Sequence, residues 1–352
     1  MSNIGYPGRL LLNIEWPFTD YRYATSDHMA QLTSGSPDPT DMTGSPPAGG
    51  YINAVSPDGS RVAFDSNDTA YQASDTLTVL GPDGKEEYPG GFKDASMVFS
   101  PDGKRLAYNQ GNFLMVSDPA TKRFPTVLEP GCKTYSSGPN PAEPVCGGVE
   151  GPVWLDPTTL FVSYFAGEMP DTVVCSKNER CYVPPNTYSI ITTDGKIVKS
   201  VEPSAADAPF SARGNTIVLR GFTTETWIDI DQLRAGTASP KPLPTSALWH
   251  SLSPDGTKIV VRGDKWWQLV DLRTGAVQQL GTPVPNAWDF VQPASDNDAP
   301  VFWSPDGKFF ALQGESSAGQ VNIFVVPASS ASGGAVATLS GTDEASLIGW
   351  AI

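Results

Sequence analysis

The sequence predicts an all-β protein, a seven-bladed β-propeller of four-stranded antiparallel blades, and three observations carry that expectation. One string recurs: "SPDGSRVAF" begins at Ser56, "SPDGKRLAY" at Ser100, "SPDGTKIVV" at Ser253 and "SPDGKFFAL" at Ser304. Successive copies, degenerate ones included, fall about 40 to 57 residues apart, the period of a four-stranded propeller blade. The 352 residues include 34 Gly and 33 Pro, a supply that suits many short strands joined by turns.

Each copy reads as strand, tight turn, strand. In "SPDG" the proline pre-sets φ, the aspartate bonds its own backbone two residues on, and the glycine supplies the positive φ that other residues resist. Apolar "INAV", "SMVF" and "VFW" precede the turn, and "SRVAFDS", "KRLAYNQ" and "TKIVVRG" follow it, short and rich in β-branched or aromatic residues. A second hairpin comes next in each copy: "TLTVLGPDGKEEY", "FLMVSDPATKRFPTVLE" and "WWQLVDLRTGAVQQL". Each unit is therefore four strands, a to d. Two degenerate units fill the middle. "GPVWLDPTTLFVSYFAG" pairs with "TYSIITTDGKIVKSV", and "APFSARGNTIVLRGF" with a c–d hairpin in "ETWIDIDQLRAG".

These make six units, and the ends supply a seventh. "PGRLLLNIE" matches a strand b, with "YRYAT" and "AQLTS" expected as c and d, and "ASLIGWAI" matches a strand a. The ring is expected to be closed by one C-terminal strand joining three N-terminal strands, as a single domain over residues 1–352. Closure removes the sheet edges that template aggregation. A blade cannot bury its faces without neighbours, which is why the same turn recurs.

The pattern of two apolar residues, Trp or Phe, then Ser-Pro-Asp-Gly-Lys, resembles the TolB-like (SPDG-repeat) propeller family over nearly the whole chain. That resemblance implies a rigid disc used mostly for protein binding outside the cytoplasm. Similar blades also accompany peptidases and form some polysaccharide lyases.

Composition bounds the partners. The 38 acids outnumber 23 basic residues, for a net charge of −15, and the basic residues are scattered, so no phosphate-binding surface is expected and nucleic acid is excluded as a partner. No run of about 18 apolar residues offers a transmembrane segment. The first residues lack a basic n-region and a cleavage motif, so they do not read as a signal peptide. Cys132 and Cys146 bracket one polar segment, Cys175 and Cys181 another, and neither pair has zinc spacing. Disulfides are expected, with the local pairing favoured among three connectivities. They imply an oxidising, extracytoplasmic location (periplasm, cell surface or secreted), with any export signal already removed.

Signals for chemistry are weak. "GESSAG", Gly314 to Gly319, misses the spacing of a nucleophile elbow. Of the two histidines, His28 is read as a loop residue between strands c and d, and His250 as a residue of the channel-lining strand a. Asp58, Asp102, Asp255 and Asp306 are turn formers. Trp154, Trp303 and Trp350 recur at one blade position and are read as packing between blades. No catalytic residue, metal ligand or cofactor is assigned.

The long connections stand out: 33–50, 129–148, 166–186 and 281–299, all b–c or d–a links that share one face of the disc. Long loops on a rigid scaffold are where binding resides. They carry Tyr135, Tyr182, Trp288 and Phe290 as aromatic anchors, with Glu168, Lys177, Arg180 and Asp289 as a polar rim. The expected function is a non-catalytic binding or assembly module for a protein partner or cell-surface glycan. The alternative is a carbohydrate-active or other hydrolase or lyase, with acids such as Glu168 and Asp289 at the channel mouth.

Overall fold

The computed structural model describes residues 9–15, 28–33, 40–41, 50–66, 76–81, 85–88, 97–110, 113–118, 122–130, 132–134, 144–146, 148–164, 187–201, 208–220, 225–244, 250–262, 266–283, 301–315, 321–329, 334–339 and 344–351.

The chain begins with β1 (Arg9–Glu15), β2 (His28–Thr33) and β3 (Thr40–Asp41). Six four-stranded meanders follow, each cut from one continuous stretch. The first holds β4 (Gly50–Val55), β5 (Val62–Ser66), β6 (Thr76–Leu80) and β7 (Glu86–Tyr88). The second holds β8 (Met97–Phe99), β9 (Leu106–Gln110), β10 (Phe113–Val116) and β11 (Thr126–Leu128). A separate two-stranded ribbon, β12 (Cys132–Thr134) with β13 (Pro144–Cys146), stands between the second blade and the third. The third blade is β14 (Val149–Asp156), β15 (Thr159–Tyr164), β16 (Thr187–Thr192) and β17 (Ile197–Val201). The fourth is β18 (Ala208–Arg213), β19 (Thr216–Arg220), β20 (Thr226–Asp229) and β21 (Lys241–Pro242), with helix α1 (Ile230–Ala235) between its last two strands. The fifth is β22 (His250–Leu252), β23 (Lys258–Arg262), β24 (Trp266–Asp271) and β25 (Val277–Pro283). The sixth is β26 (Val301–Trp303), β27 (Phe309–Glu315), β28 (Val321–Pro327) and β29 (Gly334–Leu339). The last strand, β30 (Glu344–Ala351), pairs antiparallel with β1, with Leu10 opposite Trp350, in a sheet of order β3-β2-β1-β30. β30 packs against β26 on one side and β4 on the other. The architecture is an all-β propeller.

The expectation of a seven-bladed propeller whose ring is closed by one C-terminal strand on three N-terminal strands needs correcting. Six blades are present as regular, continuous meanders, and the sheet at the ends is composite and does not close the ring as foreseen. Its third strand is β2, "HMAQLT", so "AQLTS" supplies strand c rather than d, and His28 opens that strand instead of lying in a loop. "YRYAT" lies outside the described residues. Strand d is only Thr40–Asp41.

A second correction concerns the fourth blade, where α1 replaces a tight c–d turn. The Asp229 side chain accepts from the Gln232 amide at the N-cap, and Gly236, at φ 75°, ends the helix. The helix buries its own Ile230 and Leu233.

The core lies between blades. Strand burial alternates, as in Met97-Val98-Phe99 and Val301-Phe302-Trp303, so each sheet presents apolar side chains to both neighbours. Ala107, Leu114 and Val116 of the second blade meet Trp154, Leu160 and Val162 of the third. Val153 and Phe161 of the third meet Ile217 and Leu219 of the fourth, and Val218 of the fourth meets Ile259 and Val261 of the fifth. Each fully buried Leu, Val or Phe contributes about 1.5–3 kcal/mol, and none of these faces is covered without the next blade.

Candidate functional site

Antiparallel order places the a–b and c–d turns of each blade at one end and the b–c and d–a connections at the other. The turn face is occupied by its own contacts. In each "SPDG" the serine is buried and does double duty. Ser304 Oγ donates to Asp306 Oδ1 (2.7 Å) and accepts from the Phe309 amide (3.0 Å), while the Gly307 amide donates to the Ser304 carbonyl (2.8 Å). The same arrangement repeats at Ser56, Ser100 and Ser253. The aspartates are therefore turn residues, held below the ordinary carboxylate range. At Asp306 the Ser304 hydroxyl bond is the chief cause and the Lys308 amide bond the next.

Neighbouring turns also interlock. Gly214 (φ 52°) and Gly256 (φ 69°) sit on the fourth and fifth blades, and a Cβ on either would lie 2.3 Å from the other turn's backbone. Between them the Thr216 hydroxyl donates to the Gly256 carbonyl at 2.7 Å. Arg61, paired with Glu87 at 2.8 Å, reaches the Gly103 carbonyl of the next blade at 3.4 Å.

The strand ends at the opposite face bound the long connections. Tyr164 and Thr187 bound the third blade's b–c link, and Pro283 and Val301 bound the d–a link before the sixth blade. The β12–β13 ribbon belongs to this face, because it lies in the d–a link between β11 and β14. Its register sets Cys132 opposite Cys146. Tyr135, Glu168, Cys175, Lys177, Arg180, Cys181, Tyr182, Trp288, Asp289 and Phe290 all lie outside the described residues.

Strand ends that run into this face carry a group of buried polar atoms. Asn109 Oδ1, Ser163 Oγ, Thr226 Oγ1, Trp267 Nε1 and Gln268 Oε1 are buried without a hydrogen-bond partner. His250, 1 % exposed at the start of β22, shares a 2.8 Å hydrogen bond through Nε2 with Ser211 Oγ of β18, on the preceding blade. Ser211 itself is half-buried. His250 and Gln268 both lie opposite Val261 in register, so they share one face of the fifth blade. Ser211 and His250 form a polar clasp between the inner strands β18 and β22. Sequence gave no sign of Ser211, since the bond joins residues 39 positions apart on different blades. The ribbon had a weak signal in "SSGPNP", a turn cluster between the two cysteines.

Among the described residues no helix is long and apolar enough to cross a membrane, and no group of three His, Cys, Asp or Glu side chains is placed to hold a metal ion.

No protein-family model and no curated protein sequence matches the chain. Solved structures do. An oligogalacturonate lyase in complex with manganese superposes with a TM-score of 0.50 at 15% identity, covering 95% of this chain and 86% of that one. TolB from Acinetobacter baumannii gives 0.46 at 14% identity, covering 98% of this chain and 66% of that one. A chain of the mitotic checkpoint complex gives 0.48 at 13%, covering 93% and 85%. At such identities the likeness speaks to the fold alone, and fold does not imply function.

Proposed function

We propose that the chain is a non-catalytic extracytoplasmic binding or assembly module. Its loop face would contact a protein partner or a cell-surface glycan. The observation that carries this reading is the inequality of the two faces. Turns on one face are locked against each other, backbone on backbone, at Gly214 and Gly256. The strand ends that bound the longest connections, 165–186 and 284–300, point to the other. The sequence of those connections supports the same reading: Tyr135, Tyr182, Trp288 and Phe290 are aromatic anchors in polar segments, with Glu168, Lys177, Arg180 and Asp289 around them.

The test is capture of partners from the native envelope fraction by the intact chain and by a Trp288→Ala/Phe290→Ala double variant. Capture should weaken by about 2 kcal/mol or more, roughly 30-fold, with little change in melting temperature. A collapsed melting transition with unchanged capture per folded molecule would make the two aromatics structural and overturn the proposal.

A further inference from the structure

We infer that Cys132 and Cys146 form a cross-strand disulfide that closes the β12–β13 ribbon, and that the ribbon's conformation follows the redox state of this pair. The inference stands apart from the binding reading. Residues directly opposite in an antiparallel pair have Cα atoms about 4.5–5.5 Å apart, inside the roughly 4.4–6.8 Å window that a disulfide spans. Cys132 and Cys146 are such a pair. The other connectivities would require each cysteine to leave the partner its backbone already faces.

The ribbon also needs a clamp. It has three register pairs, Cys132 with Cys146, Lys133 with Val145 and Thr134 with Pro144, and Pro144 has no amide hydrogen to donate. Among the described residues it forms a sheet of its own and joins no blade. A two-stranded ribbon by itself is marginal in water. The cysteine pair sits at its base, where one covalent bond holds both strands in register.

The chemistry balances with a disulfide oxidant of the glutathione class. One cysteine thiolate attacks the oxidant's S–S bond and releases one reduced thiol. The second cysteine thiolate attacks the mixed disulfide, forms the intramolecular bond and releases the second thiol. Two thiol protons and two electrons leave the protein for each bond formed.

The full chain, equilibrated with oxidised glutathione, is alkylated with N-ethylmaleimide and mapped by peptide mass without reduction. A Cys132–Cys146 linked peptide, unalkylated until reductant is added, is the expected result. Quantitative alkylation of both thiols, or a link from either to Cys175 or Cys181, overturns the inference. Chymotryptic cleavage at Tyr135 supplies a readout of conformation: it should accelerate about tenfold on reduction, and equally in a Cys132→Ser/Cys146→Ser variant without reductant. Equal cleavage rates in the oxidised and reduced chains would refute the conformational half. Thermal unfolding of the double variant, close to that of the parent, would show that the blades remain folded during the comparison.

Discussion

Trp303 on β26 donates its indole Nε1–H to the backbone carbonyl of Ser251 on β22, at 3.1 Å across the boundary between two blades. Trp154 on β14 does the same to the Val98 carbonyl on β8, at 2.9 Å. Both tryptophans stand one position before the a–b turn, and both acceptors stand two positions before the turn of the preceding blade. The contact is a blade-to-blade fastener used twice. Each indole is also nearly buried, so its area and its hydrogen bond act at the same seam.

Replacing Trp303 or Trp154 with Phe should therefore separate the two contributions. Phe keeps much of the apolar bulk and leaves the carbonyl unpaired, at a cost of about 1–3 kcal/mol in urea unfolding. Ala should cost about 3–5 kcal/mol. The seams are distinct, so the double Phe variant should show nearly the sum of the single losses. A Phe variant as stable as the parent would mean that the indole hydrogen bond adds nothing.

Blade-position tryptophans were legible in the sequence because they repeat at a fixed offset from a turn whose chemistry is local. Everything that repeats was legible in the same way: the "SPDG" hydrogen bonds depend on residues within five positions of one another. What was not legible depends on a partner far along the chain. Ser211 and His250 carry no shared motif. The helix α1 starts in "DIDQL", where Asp229 works as an N-cap, yet the β-branched Ile residues on either side favoured a strand reading. The composite sheet at the ends went astray for a related reason. It has no "SPDG" to fix the register, so strand boundaries rested on apolar alternation alone. The proposed binding residues were chosen by composition, which gives no geometry.

Gly214 and Gly256 should be the least replaceable glycines among the described turns. A methyl at either position meets neighbouring backbone at 2.3 Å, and backbone cannot move aside as a flexible side chain can. Gly275 also has a positive φ, 73°, yet nothing lies within 4 Å of its would-be Cβ. Gly275→Ala should thus cost only the left-handed backbone penalty, about 1–2 kcal/mol. Gly214→Ala and Gly256→Ala should cost clearly more, since two turns must separate. Comparing the three variants by thermal unfolding isolates the steric part.

Acid stability should depend on the turn serines. The Asp306 carboxyl lies below the ordinary range chiefly because the Ser304 hydroxyl, then the Lys308 amide, bonds the charged form. A depressed folded-state value means that ionised Asp306 stabilises the fold above the unfolded pKa. That stability is lost as pH falls through the folded value, below about pH 4. Ser304→Ala should move the Asp306 titration upward and flatten the decline of melting temperature with acid in that window. NMR titration of the carboxyl carbon measures the first effect, and melting curves at stepped pH measure the second. An unchanged carboxyl titration in Ser304→Ala would show that the hydroxyl does not hold the charge.

Ser211 and His250 form a clasp whose loss should weaken the seam between the fourth and fifth blades. The imidazole is 1 % exposed, so removing its Ser211 partner leaves Nε2 in a place that water does not readily replace. Ser211→Ala should cost about 1–3 kcal/mol by urea unfolding, the penalty for leaving a buried polar atom unmatched. Ser211→Thr keeps the hydroxyl and should recover part of that loss, though its added methyl must find room beside β22. The serine hydroxyl can donate to Nε2 or accept from Nε2–H, so the bond is compatible with either tautomer. Imidazole nitrogen shifts should differ between the parent chain and Ser211→Ala, because Nε2 loses its hydroxyl partner. Should Ser211→Ala unfold at the same urea concentration and show the same nitrogen shifts as the parent, the contact carries no energy and the seam rests on its apolar residues, Val218, Leu252, Ile259 and Val261.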